Sequence, residues 1–361
     1  MKDFFLDEFL DHGYFIGCPV ENKIWCLSFA QSHFFCLQKS DGPCFYLNNF
    51  FYNFEKPFLR GSNFFEFSFE EMKNILSQKK PLFPEIQWDE MRKDFYSFQF
   101  NMLKKEIFLK KLKKGVPYSF QEGKSFISYE NKVYFLKKLL EISKQKNSYI
   151  YGFWKENSGM VGCSPELLFI QRKNYIRTIA LAATVPNLSG LNVKKLLLDK
   201  KMLQEHQFVL EGILDSLKKF GKIKNGKTKI LKLSHLAHLK TDIFLRLLKT
   251  QDFCFESFLK ELHPTAAVGI LPKKSESCWL QKIENKNHSR GYFAAPFGLI
   301  LDKKKSFCIC TIRGLQWDDN KVKVTAGGGV IMESDFDQEW EEIVNKINSI
   351  KINLGIMFHG F

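Results

Sequence analysis

The sequence predicts an α+β fold, with largely antiparallel sheets packed between helices in one large intertwined unit. Three observations point there. In the C-terminal half, strand-like runs come in consecutive pairs instead of alternating strictly with helices, which argues against a doubly wound parallel sheet. Residues 1–85 alternate short apolar runs with turn residues, the pattern of antiparallel strands. Between and after these runs lie long segments with helical apolar spacing. The 361 residues are 45% hydrophobic and 26% charged, which is globular composition and excludes a disordered chain.

In chain order, Tyr14–Gly17, Lys23–Phe29, Phe34–Leu37 and Asp41–Leu47 are expected as strands of the N-terminal region, residues 1–85, which is integrated into the fold. From Asp89 to Lys114, apolar Met91, Phe95, Phe98, Met102 and Ile107 recur at helical spacing, so an amphipathic helix is expected. A strand at Val133–Phe135, a helix at Leu136–Lys146 and a strand at Tyr149–Trp154 follow. Further helices are expected at Val193–Phe220, Asp252–Leu262 and Asp337–Ile350. The strands between them are Leu167–Gln171, Ile176–Ala182, Tyr292–Leu301, Phe307–Arg313 and Lys321–Ala326. The Lys-rich stretch Lys218–Lys229, with Gly221, Asn225 and Gly226, reads as an exposed loop.

The formal charge of +15 is spread along the chain, with no basic arm, so no nucleic-acid partner is expected. Nine scattered cysteines, an odd number, argue against a disulfide framework and for a reducing compartment, with Cys308 and Cys310 sharing one strand face. The acidic N-terminus is not expected to be a secretory signal, and apolar runs of about ten residues fall short of the roughly 20 that a membrane helix needs. A cytoplasmic protein without membrane association is expected.

Several polar groups stand where packing does not require them. Glu166 follows Pro165 at a strand entrance, where a carboxylate is either a surface charge or a general acid. Glu205-His206 and Glu341-Glu342 lie on two separate helices. Such carboxylates either converge on a hard cation or form solvated helix faces. The run Ala326-Gly-Gly-Gly329 lets backbone N–H groups approach an anion, yet matches neither the P-loop nor the dinucleotide fingerprint. Arg290 and Arg313 are candidate carboxylate clamps.

Taken together and in this order, Ser164–Leu168, Ala180–Thr184, Glu205-His206, Ser234–Thr241, Leu262–Gly269, Arg290–Gly298, Thr311–Arg313, Ala326–Val330 and Ser334–Lys346 resemble the chorismate-utilising enzymes. That family includes isochorismate synthase, salicylate synthase and the first components of anthranilate and aminodeoxychorismate synthases. The resemblance implies a chorismate-binding catalytic domain over residues 86–361. It implies Mg²⁺ on Glu205 and Glu342, and substrate contacts from Thr184, His238, Tyr292, Arg313, Gly327, Gly328, Gly329 and Lys346. It also implies that Glu166 is the general acid on the C4 hydroxyl. Water-using members resemble one another in an upstream Lys base, where ammonia-using members tend to have Gln. Lys114 is the match, with Lys113 the alternative.

Ala182 stands where many aminodeoxychorismate synthases carry a nucleophilic Lys, and no Arg-Asn-Asp run follows Glu205-His206. The expectation is therefore a Mg²⁺-dependent isochorismate synthase acting on chorismate, in menaquinone or siderophore biosynthesis. The alternatives are a salicylate synthase, an ammonia-using component I that would need a glutamine amidotransferase subunit, and a non-catalytic chorismate-binding protein. Ala183 and Ala295 replace usual glycines, and Phe293 a usual Tyr.

Overall fold

The computed structural model describes residues 4–29, 31–33, 42–61, 63–146, 148–186, 197–232, 236–248, 253–274, 279–284 and 290–357. The expected strand at Phe34–Leu37 and the Ser234-His235 pair lie outside these residues, as does Asp41.

Two antiparallel sheets form the body. One runs in the order Asn63–Phe67, Lys23–Ser28, His12–Cys18, Tyr149–Lys155, Ser158–Ser164, Gly314–Asp318, Lys321–Gly327, Tyr118–Lys124 and Gln87–Trp88. The other runs Gly221–Asn225, Leu236–Leu247, Tyr175–Pro186, Leu167–Arg172, Lys305–Cys310, Pro296–Asp302, Cys44–Leu47, Phe58–Arg60 and Gln31–His33. A buried layer joins them face to face. In it Ile16, Trp25 and Tyr151 of the first sheet meet Phe45, Phe297 and Ile309 of the second. This alternation of inward apolar side chains is what antiparallel strands with one packed face require.

Helices cover the outer faces. Tyr129–Lys146, Lys93–Phe108 and Phe336–Leu354 pack on the first sheet, and Lys200–Leu217 on the second. The third of these begins with Asp335, whose carboxylate accepts from the N–H of Gln338, and ends at Gly355 in the left-handed region. Among the described residues no helix is long and apolar enough to cross a membrane.

Several local expectations are corrected. Val133–Phe135 is helical, because Ser128 and Asn131 cap a helix that starts at Tyr129 and buries Val133, Leu136 and Leu140 along one face. The helix expected from Asp89 begins at Lys93 and stops at Phe108, leaving Lys114 on a short strand, Lys114–Gly115, paired with Ile270–Leu271. The Lys-rich stretch is no loop. Gly221–Asn225 and Lys229–Lys232 pair with Leu236–Leu247, where alternate lysines face solvent. Residues 292–295 form a turn before the strand at Pro296, and Gly314–Asp318 is a strand that apolar periodicity alone did not reveal.

Candidate active site

Along the described strands the chain passes from one sheet to the other four times, and the last two passages each carry a charged residue. Ser158–Ser164 belongs to the first sheet and Leu167–Arg172 to the second, so Pro165 and Glu166 form a crossover. Lys305–Cys310 and Gly314–Asp318 make the reverse passage through Arg313. The two crossovers lie side by side. Cys310 N–H donates to the Glu166 carbonyl over 3.1 Å, Cys163 N–H to the Arg313 carbonyl over 3.2 Å, and the Ser164 hydroxyl to the Cys310 carbonyl over 2.7 Å. Arg313 adopts φ +60°, a conformation a bulky residue rarely takes without surrounding constraint.

A cleft opens where these crossovers meet the glycine turn and the last helix. It offers about 640 Å³ of atom-free space, its open mouth included. Glu166, Thr184, Glu205, His238, Arg313, Gly327, Gly329 and Lys346 all line it, from segments far apart in sequence. Glu166 is only 6% exposed, and burial lifts its carboxyl to about 7 against the pull of Lys114, Thr265, Lys346 and Arg313. The Thr265 hydroxyl donates to its Oε1 over 3.5 Å. Burial likewise lowers the Arg313 guanidinium to about 10, and its Nη1 is buried without a hydrogen-bond partner.

Thr184 and His238 face each other on paired strands, Oγ1 to Nδ1 at 3.1 Å. The other imidazole nitrogen, Nε2, is buried and unpartnered. Burial, with Arg313 and Lys346 nearby, holds His238 neutral well below its ordinary range. Ala183 sits at a register shift in the strand with φ +59°, which explains why glycine suits that position. Its methyl joins Leu239, with Met202 and Ile230 packed against them.

Lys114 is fully buried behind the cleft wall. Its Nζ donates to the Ala266 carbonyl over 2.7 Å and lies 3.5 Å from Glu205 Oε1. Burial depresses the ammonium pKa, Glu205 opposes this, and Lys346 adds to it. Lys113, by contrast, has a side chain 61% exposed, with Glu211 4.0 Å away. Gly329 makes the close approach possible, since a Cβ there would fall 1.9 Å from Glu205 Oε1 and 2.7 Å from Lys114 Nζ.

Three carboxylates gather near this wall. Glu205 is raised by burial and by Glu342 and Glu339, and Glu339 is raised by burial and Glu342. Lys201 Nζ donates to Glu339 Oε1 over 2.7 Å, while Lys346 pairs with Glu342 and donates to the Gly327 carbonyl over 2.8 Å. Among the described residues there is no group of three or more His, Cys, Asp or Glu that could hold a metal ion. A pair of carboxylates meets the need of Mg²⁺, which takes one or two together with waters and substrate oxygens, and mutual repulsion here is what a cation relieves. The donor set fits.

Two residues expected as substrate contacts do not line the cleft. Tyr292 turns away from the cleft and packs on Phe153, ring centroids 4.7 Å apart, while Phe293 lines the cleft in its place. Gly328 is not on the wall, because its N–H is spent on the Pro117 carbonyl at 3.1 Å and its back faces the last helix. Glu342 stands beside the wall through Lys346 and does not itself line it. Arg290 does not line it either, and is stacked on Phe50 at 3.9 Å and Tyr118 at 4.5 Å. Thr265, Lys201 and Glu339 were missed. The last two recur one turn from Glu205 and Glu342, a spacing that would have placed them on the same helix faces.

A profile described as chorismate binding enzyme matches residues 77–355. The chain belongs to the chorismate-binding enzyme family. Among relatives of this family, isochorismate synthase MenF of Haemophilus influenzae is 32% identical over 216 residues, covering 58% of this chain and 49% of the relative. Isochorismate synthase MenF of Escherichia coli is 29% identical over 222 residues, 59% of this chain and 50% of the relative. The chain thus matches about half the length of these curated relatives. Over the whole fold, the solved structure of MenF from Escherichia coli superposes with a TM-score of 0.76 at 20% identity, covering 98% of this chain and 92% of that one. Anthranilate synthase component I from Streptococcus pneumoniae gives 0.68 at 14%, covering 97% and 86%. These likenesses place the α+β architecture in the family fold.

Proposed function

We propose that the protein is a Mg²⁺-dependent isochorismate synthase of the cytoplasm, which adds water at C2 of chorismate and expels the C4 hydroxyl. The observation that supports this reading most is a pair of buried groups at the cleft, Glu166 in its lining and Lys114 behind its wall. One is a lysine whose ammonium is destabilised by burial, the other a carboxyl held near 7. An acid and a base with pKa values pushed toward neutrality are what proton transfer on both faces of a ring needs. A lysine at position 114, where ammonia-using relatives tend to have Gln, favours water as nucleophile.

Neutral Lys114 takes a proton from water as the water oxygen bonds to C2. The ring double bonds shift and the C4–O bond breaks, while Glu166 delivers its proton to the departing hydroxyl. Return of one proton from Lys114 to Glu166 resets the site, so the net change is an isomerisation. Arg313 and Lys346 supply cationic partners for the substrate carboxylates, and the unpartnered Arg313 Nη1 and His238 Nε2 have capacity left for substrate oxygens. When bound on Glu205 and Glu342, Mg²⁺ supplies positive charge for the ring carboxylate.

The test is incubation with chorismate and Mg²⁺, with and without ammonium, and identification of products by liquid chromatography with mass detection. Isochorismate formed regardless of ammonium is expected. Salicylate would keep the water route and add pyruvate elimination, and an aminated product appearing only with ammonium would overturn the role of Lys114. Binding without turnover would make this a chorismate-binding protein and not an enzyme.

A further inference from the structure

His263 is fully buried and takes no part in the chemistry proposed above. It sits between two segments far apart in sequence. Its Nε2 lies 2.8 Å from the Ala294 carbonyl oxygen, and its Nδ1 lies 3.1 Å from the Tyr52 hydroxyl. A carbonyl oxygen only accepts, so Nε2 carries a hydrogen. Burial, with Lys273 and Arg290 nearby, lowers the imidazole to about 3 against the pull of its bond to Ala294. The ring is therefore neutral, which leaves Nδ1 as an acceptor.

The Tyr52 hydroxyl has one hydrogen and three acceptors in reach, Nδ1 and the carbonyls of Leu259 at 3.2 Å and His263 at 3.4 Å. Both carbonyls already have donors, the first from the His263 N–H and the second from Lys273 Nζ, each over 2.8 Å. The phenol hydrogen goes to Nδ1, the nearest of the three. Tyr52 is held there at φ +62°, a conformation that a bulky residue keeps only under constraint. Asn48 and Asn49 supply the constraint. The carboxamide oxygen of Asn48 accepts from the N–H groups of Asn49 and Phe54, and that of Asn49 from those of Phe51 and Asn53.

The same loop grips the segment to which Ala294 belongs. Phe50 stacks on Arg290, Phe54 meets Tyr292 edge to face with centroids 6.2 Å apart, and the Asn48 N–H donates to the Pro296 carbonyl over 3.4 Å. Between these points lies Phe293, which lines the cleft with its ring Cζ 3.5 Å from where a Gly327 Cβ would stand. We propose that Tyr52 is a positioning residue for the cleft. By donating to His263 Nδ1 it fixes the imidazole as a donor to Ala294, and so holds the turn that sets Phe293 beside Gly327. The inference rests on the reading of this cleft as the chorismate site.

The test is steady-state kinetics and thermal melts of the full chain carrying Tyr52→Phe, Phe293→Leu or both, with nitrogen NMR spectra of histidine-labelled protein. Tyr52→Phe keeps the ring and removes the donor. It is expected to raise KM for chorismate about three- to tenfold with kcat nearly unchanged, the worth of one hydrogen bond. Phe293→Leu is expected to raise KM as well, and adding Tyr52→Phe to it to change nothing further, because the hydroxyl acts through Phe293. In the spectra, the histidine signal lost in His263→Gln is expected to be neutral with its hydrogen on Nε2, and its Nδ1 resonance to shift in Tyr52→Phe. A wild-type KM in Tyr52→Phe, even with a lowered melting temperature, would leave the hydroxyl a structural bond and overturn the inference. So would KM losses that add in the double variant, or a His263 carrying its hydrogen on Nδ1. Wild-type protein that does not turn over chorismate would instead overturn the function proposed above, and the positioning claim with it.

Discussion

Glu166 contributes to chemistry at a cost in stability that can be worked out. Its carboxyl titrates near 4.5 when exposed and near 7 in the fold. A folded state that holds its proton more tightly than the unfolded one is favoured at low pH and loses that advantage as pH rises from 4.5 through 7. At about 1.36 kcal/mol per pH unit the loss amounts to roughly 3 kcal/mol by pH 8. Glu166→Gln keeps the shape without the ionisable proton, so it is expected to match wild type in stability at pH 4 and exceed it at pH 8. With an unfolding entropy of about 2.1 cal/mol/K per residue, the gain corresponds to a melting temperature roughly 4 °C higher. Thermal melts of both proteins from pH 4 to pH 8 measure this directly. The same variant is expected to lose turnover of chorismate. A stability difference independent of pH, or none at pH 8, would refute the argument that burial holds this carboxyl protonated.

Gly329→Ala places a methyl group inside the contact between Glu205 and Lys114. Turnover should be abolished and stability reduced by about 1–3 kcal/mol, checked by activity and denaturant unfolding. Lys114→Ala should lower kcat at least about a hundredfold, whereas Lys113→Ala should stay within about twofold; equal effects would refute the assignment of the buried lysine. Phe293→Tyr restores a hydroxyl at a cleft-lining position, and a fall in KM for chorismate of up to about tenfold is expected from steady-state kinetics.

Much of the architecture was legible because strand pairing leaves a local trace. The runs at Leu167, Ile176 and Lys321 carry alternating or continuous apolar residues bounded by turns, and each is a strand within a few residues. Val133–Phe135 misled because its β-branched and aromatic residues suit a strand, and only the caps at Ser128 and Asn131 override that preference. The lysines of 221–232 hid two strands because an edge strand with one solvated face does not read as apolar. At the site, the motifs located Glu166, Glu205, Arg313 and Lys346 without fixing which way side chains point. Tyr292 and Phe293 are neighbours in sequence, yet the turn before Pro296 sends one into the aromatic layer and the other to the cleft.

The N-terminal strands hold a position out of proportion to their share of the cleft. His12–Cys18 seals the free side of Tyr149–Lys155 in one sheet, and Cys44–Leu47 seals that of Pro296–Asp302 in the other. A chain cut back to residue 86 would keep every residue assigned here to chemistry and still bare two open ladders of backbone donors and acceptors, one on each sheet. Such margins invite any extended peptide, including a second copy, to add itself. The opening residues therefore act as selvedges, finishing both edges of the cloth so that it neither frays nor adheres to its neighbours.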